Sequence, residues 1–434
     1  MHPSALPLCE WLAWLETLSP TEINLGLDRT QRVLERLELP RPAHILLIAG
    51  TNGKGSSVAM TDALLRETGL RTGAYTSPHI NRFNERIVVD GQAASDADII
   101  SAFEQVETAR EDTELTYFEF GTLAAAIVFA EADLDVWILE VGLGGRLDAT
   151  NAIEPTASLI TNVSLDHCDW LGHDVASIAV EKAGVMRGGR PTVFGSKNVP
   201  EAVVRSASET SAVLLQAGQD FDYEMNEDGS WNWRGATGTM DNLLPPGLIG
   251  EFQTGNAAAV LALIEAAGLS DAIDADLVNK VLPTVSLAGR MQHITIGAEG
   301  DAGSEWLIDV AHNPAAAEAL ATTLAATQYD GEVAAIVGLL DDKDVDGVIG
   351  PLLAHVDRWI AMTADSPRAI PANELARRIS NRAGRACLVA PTAAAAVEFA
   401  RRTASESDRI LVTGSFFTVS PVLEHLTTLS RSKS

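Results

Sequence analysis

Cysteines are few in this sequence. Of its 434 residues only three are cysteines, Cys9, Cys168 and Cys387, and they lie far apart in the chain. An odd number at this spacing provides neither the disulfide framework of a small secreted protein nor the paired ligands of a structural zinc site. The scarcity of cysteine therefore favours a protein of a reducing compartment, the cytoplasm.

Basic residues are also scarce relative to acidic ones. The 31 lysines and arginines are outnumbered by 59 aspartates and glutamates, which gives a formal net charge of −28. Such a charge would repel nucleic acids and anionic membrane surfaces, so neither is expected as a partner. Any site that binds ATP would have to be locally basic.

Long hydrophobic runs are missing as well. The most apolar stretch, residues 123–130, is too short to span a bilayer. Residues 1–20 lack the basic start of a signal peptide and carry Glu10 and Glu16, a pattern that indicates a short amphipathic helix. We therefore expect neither a membrane span nor an export signal.

Short β-rich segments alternate with helical ones from His44 onward, which predicts a mainly parallel sheet wrapped by helices. Residues 214–248 contain short polar and aromatic pieces with an Asp-Gly turn, so β-hairpins appended to the sheet are expected. A second alternating series follows the turn-rich residues 283–290. The sequence thus predicts an α/β protein of two domains: residues 1–288, a P-loop ATPase-type domain with the appended β region, and residues 289–434, a Rossmann-like domain.

A glycine-rich loop joins the first strand of this series to a long helix. Its sequence, Gly50-Thr51-Asn52-Gly53-Lys54-Gly55-Ser56, follows HILLIA directly. Glycines let backbone N–H groups converge on phosphate oxygens, Lys54 can reach the outer phosphates and Ser56 can bind Mg²⁺. The loop is shorter before its lysine than a general P-loop. An ordinary glycine-rich turn is the alternative, but the order of strand, loop and helix favours nucleotide binding.

Three strand ends carry candidate metal ligands. Glu140 ends the strand VWIL before a second glycine loop, His167 follows ASLITNV, and Ser77 follows another strand in YTSPH. In α/β proteins ligands bind at the carboxyl ends of strands, where these groups could meet. The ordinary alternatives are a carboxylate that caps a strand, a surface histidine and a turn-forming serine. A zinc site at Cys168 and His167 is disfavoured because no second cysteine is near.

The ordered set of motifs resembles the bifunctional dihydrofolate synthase/folylpolyglutamate synthase family of the Mur-ligase superfamily. The motifs are AGTNGKGS, YTSPH, NERIVVDG, LTYFEFGTLAA, ILEVGLGGRLDATN, SLDHCDWLG, EKAG, DVAHNP, GLLDDKD and VTGSFFTV. The resemblance implies an ADP-forming ligase that joins L-glutamate to 7,8-dihydropteroate and to tetrahydrofolate mono- or polyglutamates through an acyl phosphate. It also implies a cytoplasmic monomer that uses ATP and Mg²⁺, with K⁺ as a further candidate cofactor.

The resemblance further implies a set of site residues. ATP would be bound by Gly53, Lys54, Gly55, Ser56, Asn256, Arg290 and Asp309. Dihydropteroate would be bound by Glu22, Ile23, Asn24 and Leu25, by Thr116, Tyr117, Phe118 and Glu119, and by Leu147, Asp148 and Ala149. The metal ligands would be Ser77, Glu140 and His167. Lys54, Lys182 and His312 would be catalytic, with Lys182 carbamylated, and Lys343 would lie near the phosphates.

The chemistry of these residue types suits the implied ligands. Tyr117 or Phe118 could stack on a flat pterin, and Asn24, Glu119 and Asp148 offer acceptors for its N–H groups. Without the resemblance, residues 118–130 would be described as a buried helix that begins with aromatic residues. Lys182 would likewise be described as an exposed lysine of a helix.

Three other functions are compatible with parts of the pattern. A folylpolyglutamate synthase without dihydrofolate synthase activity shares nearly every motif. Another Mur-type amino-acid ligase would normally have a separate N-terminal substrate domain, for which the 49 residues before the phosphate loop leave little room. A P-loop ATPase that acts as a switch should hydrolyse ATP without any carboxylate substrate.

Overall fold

The computed structural model describes residues 6–19, 24–296, 304–327, 331–405 and 407–431. The chain divides into two compact units. The first comprises Met1–Ser164, Leu171–Gly247 and Gln253–Val285, and the second comprises Leu165–Trp170, Leu248–Phe252 and Ser286–Ser434. Across the described ranges, no helix is both long and apolar enough to cross a membrane.

The strands and helices up to residue 285 follow the predicted alternation. The strands are β1 His44–Ala49, β2 Thr72–Tyr75, β3 Ile87–Val89, β4 Gln92–Ala93, β5 Val136–Glu140, β6 Ala157–Ile160, β7 Pro191–Phe194, β8 Val213–Gln216, β9 Asp222–Met225, β10 Trp231–Arg234 and β11 Thr239–Leu243. The helices are α1 Leu8–Leu15, α2 Asp28–Leu37, α3 Lys54–Glu67, α4 Asp96–Arg110, α5 Tyr117–Glu131, α6 Cys168–Leu171, α7 Val175–Ala183, α8 Glu201–Thr210, α9 Phe252–Ala266 and α10 Ala275–Val281. Short 3-10 helices span Phe83–Arg86, Ala149–Ala152 and Leu282–Thr284.

Strands β1 to β8 form one sheet in the order β4-β3-β2-β5-β1-β6-β7-β8. From β2 to β8 in this order neighbouring strands are parallel, whereas β3 and β4 form an antiparallel edge. All of β1 after His44 is buried, as is typical of a strand in a parallel sheet that is covered on both faces. The predicted α/β class with a mainly parallel sheet is confirmed.

The helices begin where the sequence supplies a capping group. Helix α4 follows Ser95 and α5 follows Thr116, and each hydroxyl accepts a hydrogen bond from the third N–H of its helix. The carboxylates of the third residues, Asp98 and Glu119, accept hydrogen bonds from the backbone N–H groups of Ser95 and Thr116, which completes a capping box. Because α5 is almost entirely apolar, it is buried along most of its length.

The N-terminal helix α1 is anchored by one aromatic side chain. Trp11 is fully buried, and its ring centroid lies 5.6 Å from that of Phe103 in α4 and 6.5 Å from that of Phe120 in α5. Leu8 and Leu15 are also buried, whereas Glu10 is exposed. The predicted amphipathic helix is therefore confirmed, and its apolar face belongs to the core of the first unit.

The β-hairpin region forms a small sheet of its own. Strands β9, β10 and β11 pair antiparallel in the order β11-β10-β9, and Trp231 and Trp233 of β10 are buried. The indole N–H of Trp233 donates to the carbonyl of Ala258 in α9, at 3.1 Å. Strand β8 pairs parallel with β7 and extends the main sheet, so the hairpins begin only at β9.

The second unit contains a mixed sheet. Its strands are β12 Gln292–Ile296, β13 Ser304–Ile308, β14 Val333–Val337, β15 Arg358–Met362, β16 Cys387–Ala390 and β17 Arg409–Thr413. Its helices are α11 Pro314–Ala326, α12 Val345–Leu352, α13 Ala372–Ala383, α14 Ala393–Thr403 and α15 Phe416–Arg431. The strand order is β12-β13-β17-β14-β15-β16, in which β12 alone of the described strands pairs antiparallel. The sequence alternation missed β12, whose residues are mostly polar or partly exposed.

Candidate active site

The phosphate loop, residues 50–56, runs from the end of β1 into α3. Gly50 has a φ of 146° and Gly53 a φ of 84°, both in the region that favours glycine. A Cβ on Gly50 would lie 1.8 Å from the hydroxyl oxygen of Thr161, and a Cβ on Gly53 would lie 2.8 Å from the amide oxygen of Asn256. These two glycines therefore allow the loop to approach β6 and α9 closely.

The lysine of this loop is folded back onto the loop itself. Lys54 is the first residue of α3, and its Nζ donates to the carbonyl oxygens of Gly50 at 3.0 Å and Thr51 at 3.2 Å. The hydroxyl of Thr51 hydrogen-bonds Ser164, which fixes the loop to the segment after β6. The cation is thus held above a glycine turn at the amino end of a helix, where an anion would be stabilised.

A glutamine connects the phosphate loop to Asn256. The Nε2 of Gln253 donates to the buried Ser56 hydroxyl at 3.3 Å, and its Oε1 accepts a hydrogen bond from Asn256 Nδ2 at 3.0 Å. Gln253 is itself buried. Ser56 and Asn256 were predicted site residues, whereas Gln253, three residues before Asn256 in GEFQTGN, was not.

The structure brings Ser77 and Glu140 together. Strands β2 and β5 are parallel neighbours, so the residues that follow β2 lie beside the end of β5. The carboxylate of Glu140 is buried and accepts a hydrogen bond from the Ser77 N–H at 3.0 Å. His167 lies in the segment Leu165–Trp170 of the second unit, with a positive φ of 51°.

Lys182 does not have the exposure that its sequence context suggests. It lies in the last turn of α7, and only 4% of its surface is accessible. Lysine is almost never buried to this extent unless its charge is compensated or altered. The burial distinguishes Lys182 from a solvent-exposed helix lysine.

The segments expected to bind dihydropteroate are connected by main-chain and side-chain contacts. Glu22 and Ile23 lie outside the described residues. Arg29 donates to the carbonyl of Asn24 and forms an ion pair with Glu119 at 3.0 Å, which joins the first segment to the second. One residue after Leu25, the N–H of Gly26 donates to the carbonyl of Leu147 at 3.3 Å, which joins the first segment to the third.

The two carboxylates of these segments already have protein partners. Glu119 is buried and accepts hydrogen bonds from the N–H of Thr116 and from the side chains of Arg29 and Thr30. Asp148 caps the 3-10 helix Ala149–Ala152 and accepts hydrogen bonds from the Leu143 N–H and from Thr150. Burial raises the pKa of Asp148, and these hydrogen bonds oppose the shift.

The aromatic residues of the second segment remain partly accessible. Tyr117 and Phe118 are half-buried at the start of α5. The ring of Phe118 lies 6.1 Å from that of Tyr75, and a Cβ on Gly142 would come within 2.6 Å of it. Glycine at position 142 therefore leaves room for this ring. Tyr117 and Phe118 thus remain partly exposed, and aromatic rings are suited to stacking on a flat ligand.

In the second unit, Arg290 and Asp309 lie at the same end of the sheet. Asp309 directly follows β13, and its carboxylate accepts hydrogen bonds from the N–H groups of Met291 and Ala311. Burial raises the pKa of Asp309, while the nearby Arg290 charge opposes that shift. The guanidinium of Arg290 lies over the Phe416 ring, 5.4 Å from its centroid.

Asp166 contacts three side chains of the second unit, those of His312, Asn313 and Lys343. Its Oδ1 is 2.8 Å from the Nζ of Lys343, and its Oδ2 accepts a hydrogen bond from Asn313 at 2.8 Å. The Nε2 of His312 lies 3.4 Å from Oδ2. Burial alone would raise the pKa of Asp166, but the hydrogen bond from His312 and the charges of His312, His167 and Lys343 hold it far below its ordinary value.

Asp166, His167 and His312 could also hold a metal ion, because their ligand atoms lie within 4.8 Å of one another. The ammonium of Lys343 already contacts Asp166, so a cation at this place would meet a like charge. His167 and His312 were predicted site residues, whereas Asp166, which directly precedes His167 in SLDHCDWLG, was not. The side chains of Asn313 and Lys343, which contact Asp166, are more than a hundred residues away in the sequence, so no local pattern predicts these contacts.

Known protein families match both parts of the chain. Residues 48–264 match the Mur ligase middle domain and residues 289–416 the glutamate ligase domain of Mur ligases. The dihydrofolate synthase/folylpolyglutamate synthase of Escherichia coli K12 is 38% identical over 422 residues, which cover 97% of this chain and 96% of that protein. The chain belongs to the dihydrofolate synthase/folylpolyglutamate synthase family of Mur ligases.

Solved structures extend the likeness to the fold of this family. The structure of E. coli FolC in complex with DHPP and ADP has a TM-score of 0.90 and 37% identity, and the match covers 98% of each chain. A bifunctional folylpolyglutamate synthase/dihydrofolate synthase with Mn, AMPPNP and L-glutamate bound has a TM-score of 0.88 and 38% identity, again over 98% of each chain. The two-domain Mur-ligase fold predicted from the motifs is confirmed.

Proposed function

We propose that this enzyme ligates L-glutamate to 7,8-dihydropteroate, forming dihydrofolate, and to tetrahydrofolate mono- or polyglutamates, with conversion of ATP to ADP and phosphate. Family membership over nearly the whole chain supports the reaction class. The observation that carries the proposal is the presence of three features in the first unit. These are a lysine-bearing phosphate loop, the Ser77–Glu140 pair and the connected segments around Tyr117.

The phosphate loop is proposed to bind ATP. Gly53, Lys54, Gly55 and Ser56 would surround the phosphates, with Asn256 placed next to Gly53 through Gln253. On binding ATP, the Lys54 ammonium would exchange its hydrogen bonds to the carbonyl oxygens of Gly50 and Thr51 for contacts with phosphate oxygens. Arg290 and Asp309 are the proposed nucleotide contacts of the second unit.

The residues around Glu140 fit a divalent cation. A buried carboxylate beside a serine provides the oxygen donors that Mg²⁺ prefers, and an imidazole nitrogen would be the third ligand. We propose Ser77, Glu140 and His167 as the ligands of Mg²⁺, and K⁺ as an additional cofactor on the family resemblance alone. When bound, the metal would neutralise negative charge on the phosphate oxygens.

The reaction would proceed in two steps. A carboxylate oxygen of the folate-type acid attacks the γ-phosphorus of ATP, ADP leaves, and an acyl phosphate forms; Lys54 and the loop N–H groups stabilise the transferred phosphoryl group. The glutamate amine, as the free base, then attacks the acyl carbon and expels phosphate. A base must accept the amine proton, and His312 and carbamylated Lys182 are the proposed candidates.

The burial of Lys182 supports its carbamylation. The ammonium first loses a proton, and the neutral amine then adds to CO₂ with release of a second proton, so that an anion that can be paired replaces a buried cation. This modification would place a carboxylate-like group at the carboxyl end of α7. Lys343, held by Asp166, is proposed to contact the phosphates from the second unit.

The proposal divides the roles between the two domains. Residues 1–288 would bind ATP and the folate-type acid, and residues 289–434 would form the glutamate ligase domain. Tyr117 and Phe118 would stack on the pterin, and Leu25, Leu147 and Ala149 would line its site together with Asn24. We further propose that the enzyme acts in the cytoplasm as a monomer on small-molecule substrates.

An assay of product formation tests the proposal. Purified protein is supplied with ATP, Mg²⁺ and L-glutamate, together with dihydropteroate, tetrahydrofolate or neither, and products are separated by chromatography. We expect dihydrofolate from the first mixture, an extended folate from the second and little ADP from the third. Extension of tetrahydrofolate without any dihydrofolate would reduce the function to that of a folylpolyglutamate synthase, and equal ADP formation in all three would indicate a P-loop ATPase.

A further inference from the structure

Arg86 is a buried cation that has no acidic partner among the described residues. It ends the 3-10 helix Phe83–Arg86, and only 9% of its surface is accessible. The other buried arginine, Arg409, is paired with Glu305, and the buried ammonium of Lys343 is paired with Asp166. Within the described ranges, no carboxylate oxygen lies within 4.0 Å of an Arg86 nitrogen.

The contacts of Arg86 are all with neutral groups. Its Nε donates to the Nδ1 of His79 at 2.8 Å, and an imidazole that accepts a hydrogen bond at Nδ1 carries no charge to balance the guanidinium. The guanidinium carbon lies 5.4 Å from the ring centroids of both Phe83 and Tyr117. Two aromatic faces offset only part of the desolvation of a buried charge.

The two terminal nitrogens of Arg86 are available to a ligand. Neither Nη group has a hydrogen-bond partner in the described part of the chain, and neither is sealed from solvent. Together they form the planar pair of donors that matches a carboxylate. A buried guanidinium without an acidic partner and with two available donor groups therefore indicates a binding site for an anion.

The neighbours of Arg86 indicate which anion this is. Tyr117 belongs to the segment proposed to bind the pterin, and His79 follows the proposed metal ligand Ser77 by two residues. The guanidinium thus contacts both the proposed pterin segment and the segment that follows Ser77. A folate-type acid has its carboxylates on the side of the molecule away from its pterin.

We propose that Arg86 binds a carboxylate of the folate-type substrate. This inference rests on the proposed function and adds a recognition residue to it. Two substrates could supply this carboxylate: dihydropteroate through its benzoate group and tetrahydrofolate through its glutamate. Binding would compensate the buried charge and would orient the acid with its pterin beside Tyr117.

The test compares each acid with an amide that lacks the negative charge. Equilibrium dissociation constants are measured without ATP for dihydropteroate and its carboxamide, and for tetrahydrofolate and its α- and γ-amides. Wild-type protein should bind the acid at least about tenfold more tightly than the amide, as expected for a charge-assisted hydrogen bond. In Arg86→Gln this preference should fall to about one, because the acid no longer meets a cation.

Arg110→Gln is the matched control. The guanidinium of Arg110 lies over the Trp14 ring as that of Arg86 lies over its aromatic neighbours, but it is ion-paired with Glu107. This variant should keep the wild-type preference for the acid. Loss of preference in the dihydropteroate arm identifies the benzoate carboxylate, and loss in the tetrahydrofolate arm identifies a glutamate carboxylate.

An unchanged preference in Arg86→Gln for both substrates would overturn the inference and leave Arg86 as a link between Phe83 and Tyr117. If Arg86→Gln does not fold, Arg86→Lys decides, because lysine keeps the charge but loses the paired donors. The preference of Arg86→Lys for the acid over the amide should be at least about threefold smaller than that of wild-type protein, and an undiminished preference would count against the inference. Failure of wild-type protein to form dihydrofolate or extended folates would instead contradict the proposed function itself.

Discussion

The ammonium of Lys343 lies 2.8 Å from the Oδ1 of Asp166, although 177 residues separate the two in the chain. Both side chains are less than 10% exposed, so each charge depends on the other for compensation. The same carboxylate holds His312 and Asn313. One aspartate thus positions residues from the loops after β13 and β14.

Asp166→Ala should destabilise the second unit. Removing one partner of a buried ion pair leaves the other charge uncompensated, which costs about 3 kcal/mol or more. Urea unfolding of the ligand-free protein should show this loss. Asp342→Asn is the control, because Asp342 also contacts Lys343, at 3.3 Å, but is more exposed. A loss from Asp342→Asn as large as that from Asp166→Ala would contradict the central role of Asp166.

Lys54→Ala should abolish ligation with little loss of stability. The substitution removes the cation from the phosphate loop, and the two hydrogen bonds that it breaks both lie within that loop. Turnover should fall by at least about a hundredfold. Thermal unfolding without ATP should be nearly unchanged, and added ATP should raise the unfolding temperature less than in wild type. Retention of substantial turnover would exclude Lys54 from the phosphate site.

Glu140→Gln should raise the metal concentration needed for activity. Glutamine can still accept the hydrogen bond from the Ser77 N–H, so the fold should be kept while the charge that attracts the cation is lost. His167→Ala should act in the same direction. Activity is titrated with Mg²⁺ after treatment with a chelator, and an unchanged half-saturating concentration in both variants would argue against this ligand set.

Asp148→Ala should impair the use of dihydropteroate much more than the binding of ATP. The carboxylate holds the loop from Leu143 to Thr150, so its removal should loosen the third proposed dihydropteroate segment. Thr150→Val, which removes one of these hydrogen bonds, should have a smaller effect in the same direction. Kinetics with dihydropteroate and ATP varied separately provide the measurement. Equal increases in both KM values would point to a general loss of structure.

The stability of the protein should decrease as the pH falls from about 6.5 to 4. Burial, followed by the charge of Arg86, lowers the pKa of His79 to about 4. In the unfolded chain His79 binds a proton near pH 6.5, whereas in the folded protein it does so only near pH 4. Between these two pH values protonation therefore favours the unfolded state, and above about pH 6.5 it has no effect. His79→Gln, which can still accept from Arg86, should reduce the slope of unfolding free energy against pH. An NMR titration of His79 with a midpoint near 6.5 would refute the prediction.

The sequence predicted those parts of the fold that follow from local patterns. Helix α4, Asp96–Arg110, is one of the alternating helices, and it begins where Ser95 supplies its N-cap. Strand β12 was missed because its residues are partly exposed and polar, and what makes it a strand is its pairing with β13. The hairpin region was predicted, but the membership of β8 in the main sheet depends on β7, a tertiary partner.

The site was predictable where one residue type suffices for a function. Lys54 and Ser77 follow strands and Glu140 ends one, and the order of elements indicated their side of the sheet. Asp166 and Gln253 were not predicted because their roles consist of contacts with residues far away in the chain, such as Lys343 and Ser56. The burial of Lys182 was missed for the same reason, since a helix pattern does not say what covers each face.

The burial of the tryptophans has an optical consequence. The chain contains eight tryptophans, five of which are fully buried, whereas the indole of Trp170 is 47% exposed and lies three residues after His167. Water shifts indole emission to longer wavelengths, so the red edge of the intrinsic fluorescence should originate mainly from Trp170. The protein therefore carries its own spectroscopic reporter on the segment that contains Asp166 and His167, and no dye has to be attached to follow it.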